Sequence, residues 1–127
     1  MPLVGIDYGR RRTGIAVVLE GVPMPLEPVT GGGWRTILAR LADLEERYGT
    51  VEVVLGLPLS ASGRPTELCA EVERLAEFLR ERGMAVSMQS ETGSTAEARS
   101  AGSRDRRDGR LDSAAAVILL KRFLHIP

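Results

Sequence analysis

Two short apolar runs, Leu3–Asp7 and Thr13–Leu19, stand at the start of the chain with Tyr8-Gly9-Arg10-Arg11-Arg12 between them. Two strand-like runs around a glycine-bearing turn read as an antiparallel hairpin. The next stretch, residues 22–29, carries prolines at 23, 25 and 28, so a strand there belongs at a sheet edge. Beyond Gly31-Gly32-Gly33 the pattern changes to alternating units. Trp34, Ile37, Leu38, Leu41, Leu44 and Tyr48 follow helical spacing, with Gly49 placed to stop the helix. Val51–Leu55 reads as a buried strand ended by Gly56-Leu57-Pro58. A second helix is predicted from Pro65 or Thr66 to Gly83, with Leu68, Val72, Leu75, Ala76 and Leu79 on its apolar face. Met84–Ser90 alternates as a strand does, and Ser94 or Thr95 can cap a short helix running through Ala98. Gly102–Arg110 lacks an apolar anchor and reads as a mobile loop. Leu111–Leu124, apolar nearly all round, suits a helix buried against a sheet. A hairpin followed by strand–helix alternation implies a mixed sheet covered by helices, in one α/β domain over residues 1–127.

The reactive side chains are few. One cysteine, Cys69, cannot form an internal disulfide or a cysteine-rich zinc site, and it reads as a small core residue. One histidine, His125, excludes a multi-histidine centre and leaves a Ser-His-Asp arrangement only through the chain's last residues. Hydrolytic chemistry would therefore run on carboxylates. No apolar run approaches the roughly 20 residues that cross a bilayer, and the first residues show no export signal. Net charge is zero, which argues against a simple polycation. The charge is unevenly spread: residues 1–40 carry five arginines against three acids, and residues 41–82 carry five against nine.

Most acids, such as Glu67, Glu71, Glu73, Glu77 and Glu81, read as solvated helix faces. Three do not. Asp7 ends an apolar strand that ought to be central, where an unpaired buried carboxylate would cost several kcal/mol. Glu91 follows a strand end, and Asp112 opens a helix continuing Ser-Ala-Ala-Ala, small residues that allow close packing. Singly, each has a plainer role: a turn acid, a surface acid, a first-turn acid favoured by the helix dipole. Together they sit where sites form, at strand ends on one edge of an open sheet. Three carboxylates within about 4 Å would repel by roughly 4 kcal/mol per pair at an effective dielectric of 20, which a cation relieves. All-oxygen ligation selects Mg²⁺ or Mn²⁺ over zinc, and such ions suggest phosphodiester hydrolysis. Arg10, Arg11 and Arg12 add phosphate-binding capacity close by, or else form a solvated hairpin tip.

The motifs are also familiar as a set. Gly5-Ile6-Asp7-Tyr8-Gly9-Arg10-Arg11-Arg12-Thr13-Gly14-Ile15-Ala16-Val17 resembles the N-terminal block of the YqgF family, pre-16S rRNA nucleases also described as Holliday junction resolvase-like. Gly56-Leu57-Pro58-Leu59, Ser94-Thr95-Ala96-Glu97-Ala98-Arg99 and Leu111-Asp112-Ser113-Ala114-Ala115-Ala116-Val117-Ile118-Leu119 resemble its later blocks, in the same order. The resemblance implies an RNase H-like fold: a mixed five-stranded sheet, antiparallel hairpin strands first and parallel strands after, with helices on both faces. It implies a catalytic and metal-binding trio on Asp7, Glu91 and Asp112, holding Mg²⁺ or Mn²⁺ as two ions. It also implies nucleic-acid contacts at Arg10, Arg11, Arg12 and Thr95. The implied partners are structured RNA (pre-16S rRNA) or branched DNA, with ribosomal particles besides, in a cytoplasmic monomer or homodimer. One block departs from the family pattern: Ser90-Glu91-Thr92-Gly93-Ser94-Thr95 keeps the glutamate but lacks the acid before it and the arginine after it. Three readings follow: an rRNA-processing endonuclease, a junction-cleaving DNA endonuclease, or a binding module with weakened chemistry.

Overall fold

A computed structural model describes residues 2–31, 33–59, 62–91 and 110–127, with residues 91 and 110–112 described through their backbone. The first three strands are β1 (Leu3–Asp7), β2 (Arg12–Leu19) and β3 (Val22–Thr30), an antiparallel meander. Glu20 and Gly21 turn the second corner with positive φ at both positions (51° and 80°), the backbone twist that two-residue hairpins favour. Then come α1 (Gly33–Tyr48), β4 (Glu52–Pro58), α2 (Glu67–Arg80), β5 (Ala85–Glu91) and α3 (Arg110–Phe123). The sheet order is β3-β2-β1-β4-β5, with β4 parallel to β1 and β5 parallel to β4.

Sequence pattern and structure agree on the edge strand. Pro23 and Pro25, opposite Val18 and Ala16, stand at alternate positions of β3, where an outward N–H is dispensable. The end of β4 lies beyond the predicted one. Gly56, Leu57 and Pro58 stay in the ladder because β5 pairs with all three, at Gln89, Ser90 and Glu91. The helix expected around residues 94–98 and most of the loop expected over 102–110 lie outside the described residues; α3 begins at the last residue of that stretch.

Side-chain alternation gives the sheet two covered faces. Val4, Ile6, Ile15, Val17, Val53 and Leu55 pack with Ile37, Leu41 and Leu44 of α1 and Val72, Leu75 and Leu79 of α2. Trp34 joins this core partly buried, its ring 5.6 Å from that of Phe78. Cys69 is buried on α2 as expected, and its thiol lies 3.3 Å from the Pro58 carbonyl oxygen. The opposite face is smaller: Ala16 and Val54 meet Ala116, Leu119 and Leu120 of α3. At Gly5, on this face, a Cβ would stand 2.7 Å from Leu120 Cγ and 3.0 Å from the Ala116 carbonyl oxygen. The missing side chain is what lets α3 lie so close to the central strand.

Candidate active site

Asp7 is the last residue of β1, the middle strand, and it is only 6% exposed. Its parity with Gly5 puts it on the face that α3 covers. Its antiparallel partner is Gly14, and Gly56 follows Leu55, the parallel partner of Ile6. The carboxylate therefore has a glycine on each neighbouring strand, at its own level of the sheet. Beyond Gly56, Gln89 occupies the same row on β5, and Glu91 is two residues further along that strand. Residue 91 thus shares the α3 face by register. Two strand spacings, about 10 Å, separate β1 from β5.

The turn after Asp7 is tightly made. A Cβ at Gly9 would overlap the Arg12 carbonyl oxygen, and Thr13 Oγ1 donates to the Gly9 carbonyl oxygen at 3.3 Å. Arg10, Arg11 and Arg12 are all exposed. Arg10 is already engaged: its Nε and Nη2 donate to Glu71 Oε2 of α2 at 2.8 and 2.6 Å. Tyr8 Oη donates to the other oxygen of Glu71 at 3.4 Å. The hydrogen bond from Arg10, with its charge adding, holds the Glu71 carboxyl below the usual glutamate range. Glu71 in turn raises Arg10. The acid expected to be merely solvated therefore anchors the arginine turn to α2. No periodicity signals such a partner 61 residues away.

The third expected acid, Asp112, lies in the first turn of α3. The residue after it fixes that turn. Ser113 is fully buried; its Oγ accepts from the Ile15 N–H at 3.1 Å and donates to the Leu26 carbonyl oxygen at 2.5 Å. Both backbone groups flank a bulge, where Thr13 pairs with Val29 but Ile15 pairs with Leu26. There β2 contributes Gly14 while β3 contributes Glu27 and Pro28, and the Glu27 carbonyl oxygen accepts from Arg40 Nη1 of α1. Ile15 is next to Gly14, the partner of Asp7, so the first turn of α3 is tied beside the end of β1.

Ser113 thus seats the first turn of α3 on β2 and β3, next to Gly14, and strand register puts residue 91 on the face that α3 covers. The Glu91 and Asp112 side chains, and all of Thr95, lie outside what is described. Among the described residues no group of three metal-ligating side chains occurs, and Asp7 is the member of the trio whose carboxylate is seen. The available donors are carboxylate oxygens. The thiol of Cys69 is bonded at the other helical layer, and His125 is exposed beyond α3. That donor set fits a hard divalent cation.

A mixed 3-2-1-4-5 sheet with helices on both faces and an acid closing its middle strand defines an RNase H-like protein. The sequence profile of the RuvX family, described as Holliday junction resolvase, matches residues 1–126. The chain belongs to that family, the one its motifs resemble. A relative from Oleidesulfovibrio alaskensis is 37% identical over 136 residues, covering 100% of this chain and 94% of its own. One from Thermus thermophilus is 36% identical over 135 residues, covering 98% and 97%. Both bear the name "Putative pre-16S rRNA nuclease". A Rickettsia bellii protein of the same name is 39% identical over 80 residues, and there the chain spans about half of the relative's length, 52%. Among solved structures, Thermus thermophilus RuvC in complex with a Holliday junction substrate superposes with a TM-score of 0.56 at 19% identity, over 98% of this chain and 94% of that one. A second Thermus thermophilus RuvC structure gives 0.51 at 19% identity, over 99% and 81%. These two likenesses establish the fold. Among the described residues no helix is long and apolar enough to cross a membrane.

Proposed function

We propose that the chain is a metal-dependent endonuclease that cleaves structured RNA, with the 16S rRNA precursor as substrate, and that residues 1–127 form one nuclease domain. The observation that carries the reading is Asp7: a buried acid at the end of the middle strand, between two glycines, on the face closed by the helix that bears Asp112. Membership of a nuclease family supports it. Asp7, Glu91 and Asp112 would hold Mg²⁺ or Mn²⁺. Such ions, as a pair, supply an activated water and charge for the leaving oxygen.

The chain's own groups do the rest. Gly14 and Gly56, beside Asp7 on the neighbouring strands, bring no side chain to the carboxylate and so would leave room for a phosphodiester. Arg11 and Arg12, exposed on the turn that begins one residue after Asp7, hold backbone phosphates on either side of the scissile bond. Arg10, bonded to Glu71, keeps that turn seated on α2. Thr95 would add a further phosphate contact. With no stacking platform or recognition helix among the described residues, shape and backbone charge select the substrate.

Asp7→Asn preserves size and removes the charge. Mn²⁺- or Mg²⁺-dependent cleavage of a 16S precursor is expected to vanish while circular dichroism and the unfolding midpoint stay near those of the parent. Equal cleavage by the two proteins, each freed of contaminating nuclease, would overturn the assignment. The family description favours a second reading, cleavage of four-way DNA junctions. Symmetric junction cleavage needs two sites, so a monomer that prefers RNA in direct competition excludes it. A dimer that prefers the junction would replace the first reading.

A further inference from the structure

We infer that Ser113 is a positioning residue: its hydroxyl sets where Asp112 stands relative to Asp7. This rests on the reading of Asp112 as a metal ligand. Three observations carry it. The side chain is completely buried, yet it is a hydroxyl on a helix otherwise filled by Ala115, Ala116, Leu119 and Leu120 on its buried side. Alanine would fill the same space there but would leave the Ile15 N–H and the Leu26 carbonyl without this partner. The hydroxyl uses both its capacities, accepting from Ile15 N–H and donating to the Leu26 carbonyl. And the two groups it joins belong to different strands at the irregularity in their pairing, the bulge between Thr13 and Ile15.

The bulge opens a gap in the β2–β3 ladder, and a buried amide and carbonyl there need a partner. Ser113 fills the gap from outside the sheet. Two hydrogen bonds of opposite sense fix its oxygen, and with it the first turn of α3, in both translation and rotation. Further along, the Gly5–Leu120 approach fixes how closely the helix lies. Ser113 holds in place the end of the helix that carries Asp112, its immediate neighbour. Ile15 adjoins Gly14, the partner of Asp7, so the bonds refer Asp112 to the strand pair that presents Asp7.

Supporting groups that orient a ligand typically change metal affinity about 10- to 100-fold when removed. The test uses the full chain, stripped of metal by a chelator, with Mn²⁺ affinity measured by titration calorimetry well below the unfolding midpoint. The unfolding midpoint itself is recorded separately without metal. Ser113→Ala is expected to weaken Mn²⁺ binding at least about tenfold. Ser113→Thr, which keeps the hydroxyl, is expected to retain the parent affinity even if its extra methyl lowers the midpoint. A lowered midpoint for Ser113→Ala with unchanged Mn²⁺ affinity would show a purely structural role and overturn the inference. Should Ser113→Ala fail to fold, Ser113→Cys replaces it: parent-like Mn²⁺ affinity with only a weakly hydrogen-bonding thiol would overturn the inference equally. Asp112→Asn separates the two levels. If it weakens binding and Ser113→Ala does not, positioning alone fails. If Asp112→Asn binds Mn²⁺ as the parent does, the ligand assignment fails and takes the positioning role with it.

Discussion

Replacing Gly5 with alanine probes the close approach that brings α3 down onto the middle strand. The added Cβ would lie 2.7 Å from Leu120 Cγ and 3.0 Å from the Ala116 carbonyl oxygen. Comfortable carbon–carbon separation is about 3.5–4.0 Å, so Leu120 or the whole helix must retreat by about 1 Å. Overpacking of this kind costs about 1–3 kcal/mol. The gain from removing a flexible glycine from a strand offsets about 0.5–1 kcal/mol of that. A net loss of about 1–2 kcal/mol is expected, a midpoint lower by about 3–10 °C for a chain of this size. Leu120→Ala alone should cost about 2–5 kcal/mol, because Leu120 is fully buried. In the double variant the new methyl enters space that Leu120 vacated, so the combined effect should fall short of the sum of the two by about 1 kcal/mol or more. The Ala116 carbonyl is backbone and still crowds the methyl, which keeps the rescue incomplete. Urea denaturation of the parent, both single variants and the double variant measures the cycle. Additivity within about 0.5 kcal/mol, or a stabilising Gly5→Ala, would refute the close-approach account.

Two other outcomes follow from the arginine turn. Glu71 is held below its usual range by Arg10, so the stability from this pair is complete above the ordinary glutamate range and is lost as pH falls through the lowered value. The difference in midpoint between parent and Glu71→Gln should therefore be constant near neutrality and shrink on acidification; a difference that grows toward low pH would contradict the pairing. Replacing Arg11 and Arg12 together with glutamine should weaken RNA binding across sequences. It should also flatten the slope of log affinity against log salt by about 0.7–0.9 for each phosphate no longer neutralised, whereas an unchanged slope in filter-binding titrations would remove both arginines from the interface.

The elements whose signals are local are readable from residues alone. The hairpin, the proline-marked edge, the α1 and α2 stripes with Gly49 and Gly83 behind them, and the small-residue face of α3 each announce themselves within a dozen positions. Asp7 is legible for a related reason: an acid closing an apolar strand is anomalous in its own window. What escapes is long-range. β4 runs on through Gly56-Leu57-Pro58 because β5 pairs there, and a glycine–proline pair reads as a stop until its partner is known. Glu71 looks like any exposed helix acid until folding brings Arg10 to it. Ser113 reads in the sequence as one small residue among several, and its hydrogen bonds depend on a bulge between two strands 98 and 87 residues away along the chain. The row Gly14–Asp7–Gly56–Gln89 likewise exists only once the register is set.

That separation has a consequence for how the second face of the sheet is held. Without α3, Gly5, Ala16 and Val54 would face water and the bulge amide would lack its serine. One helix thus both shields that face and supplies the serine at the bulge, so loosening α3 would disturb the packing and the β2–β3 pairing together.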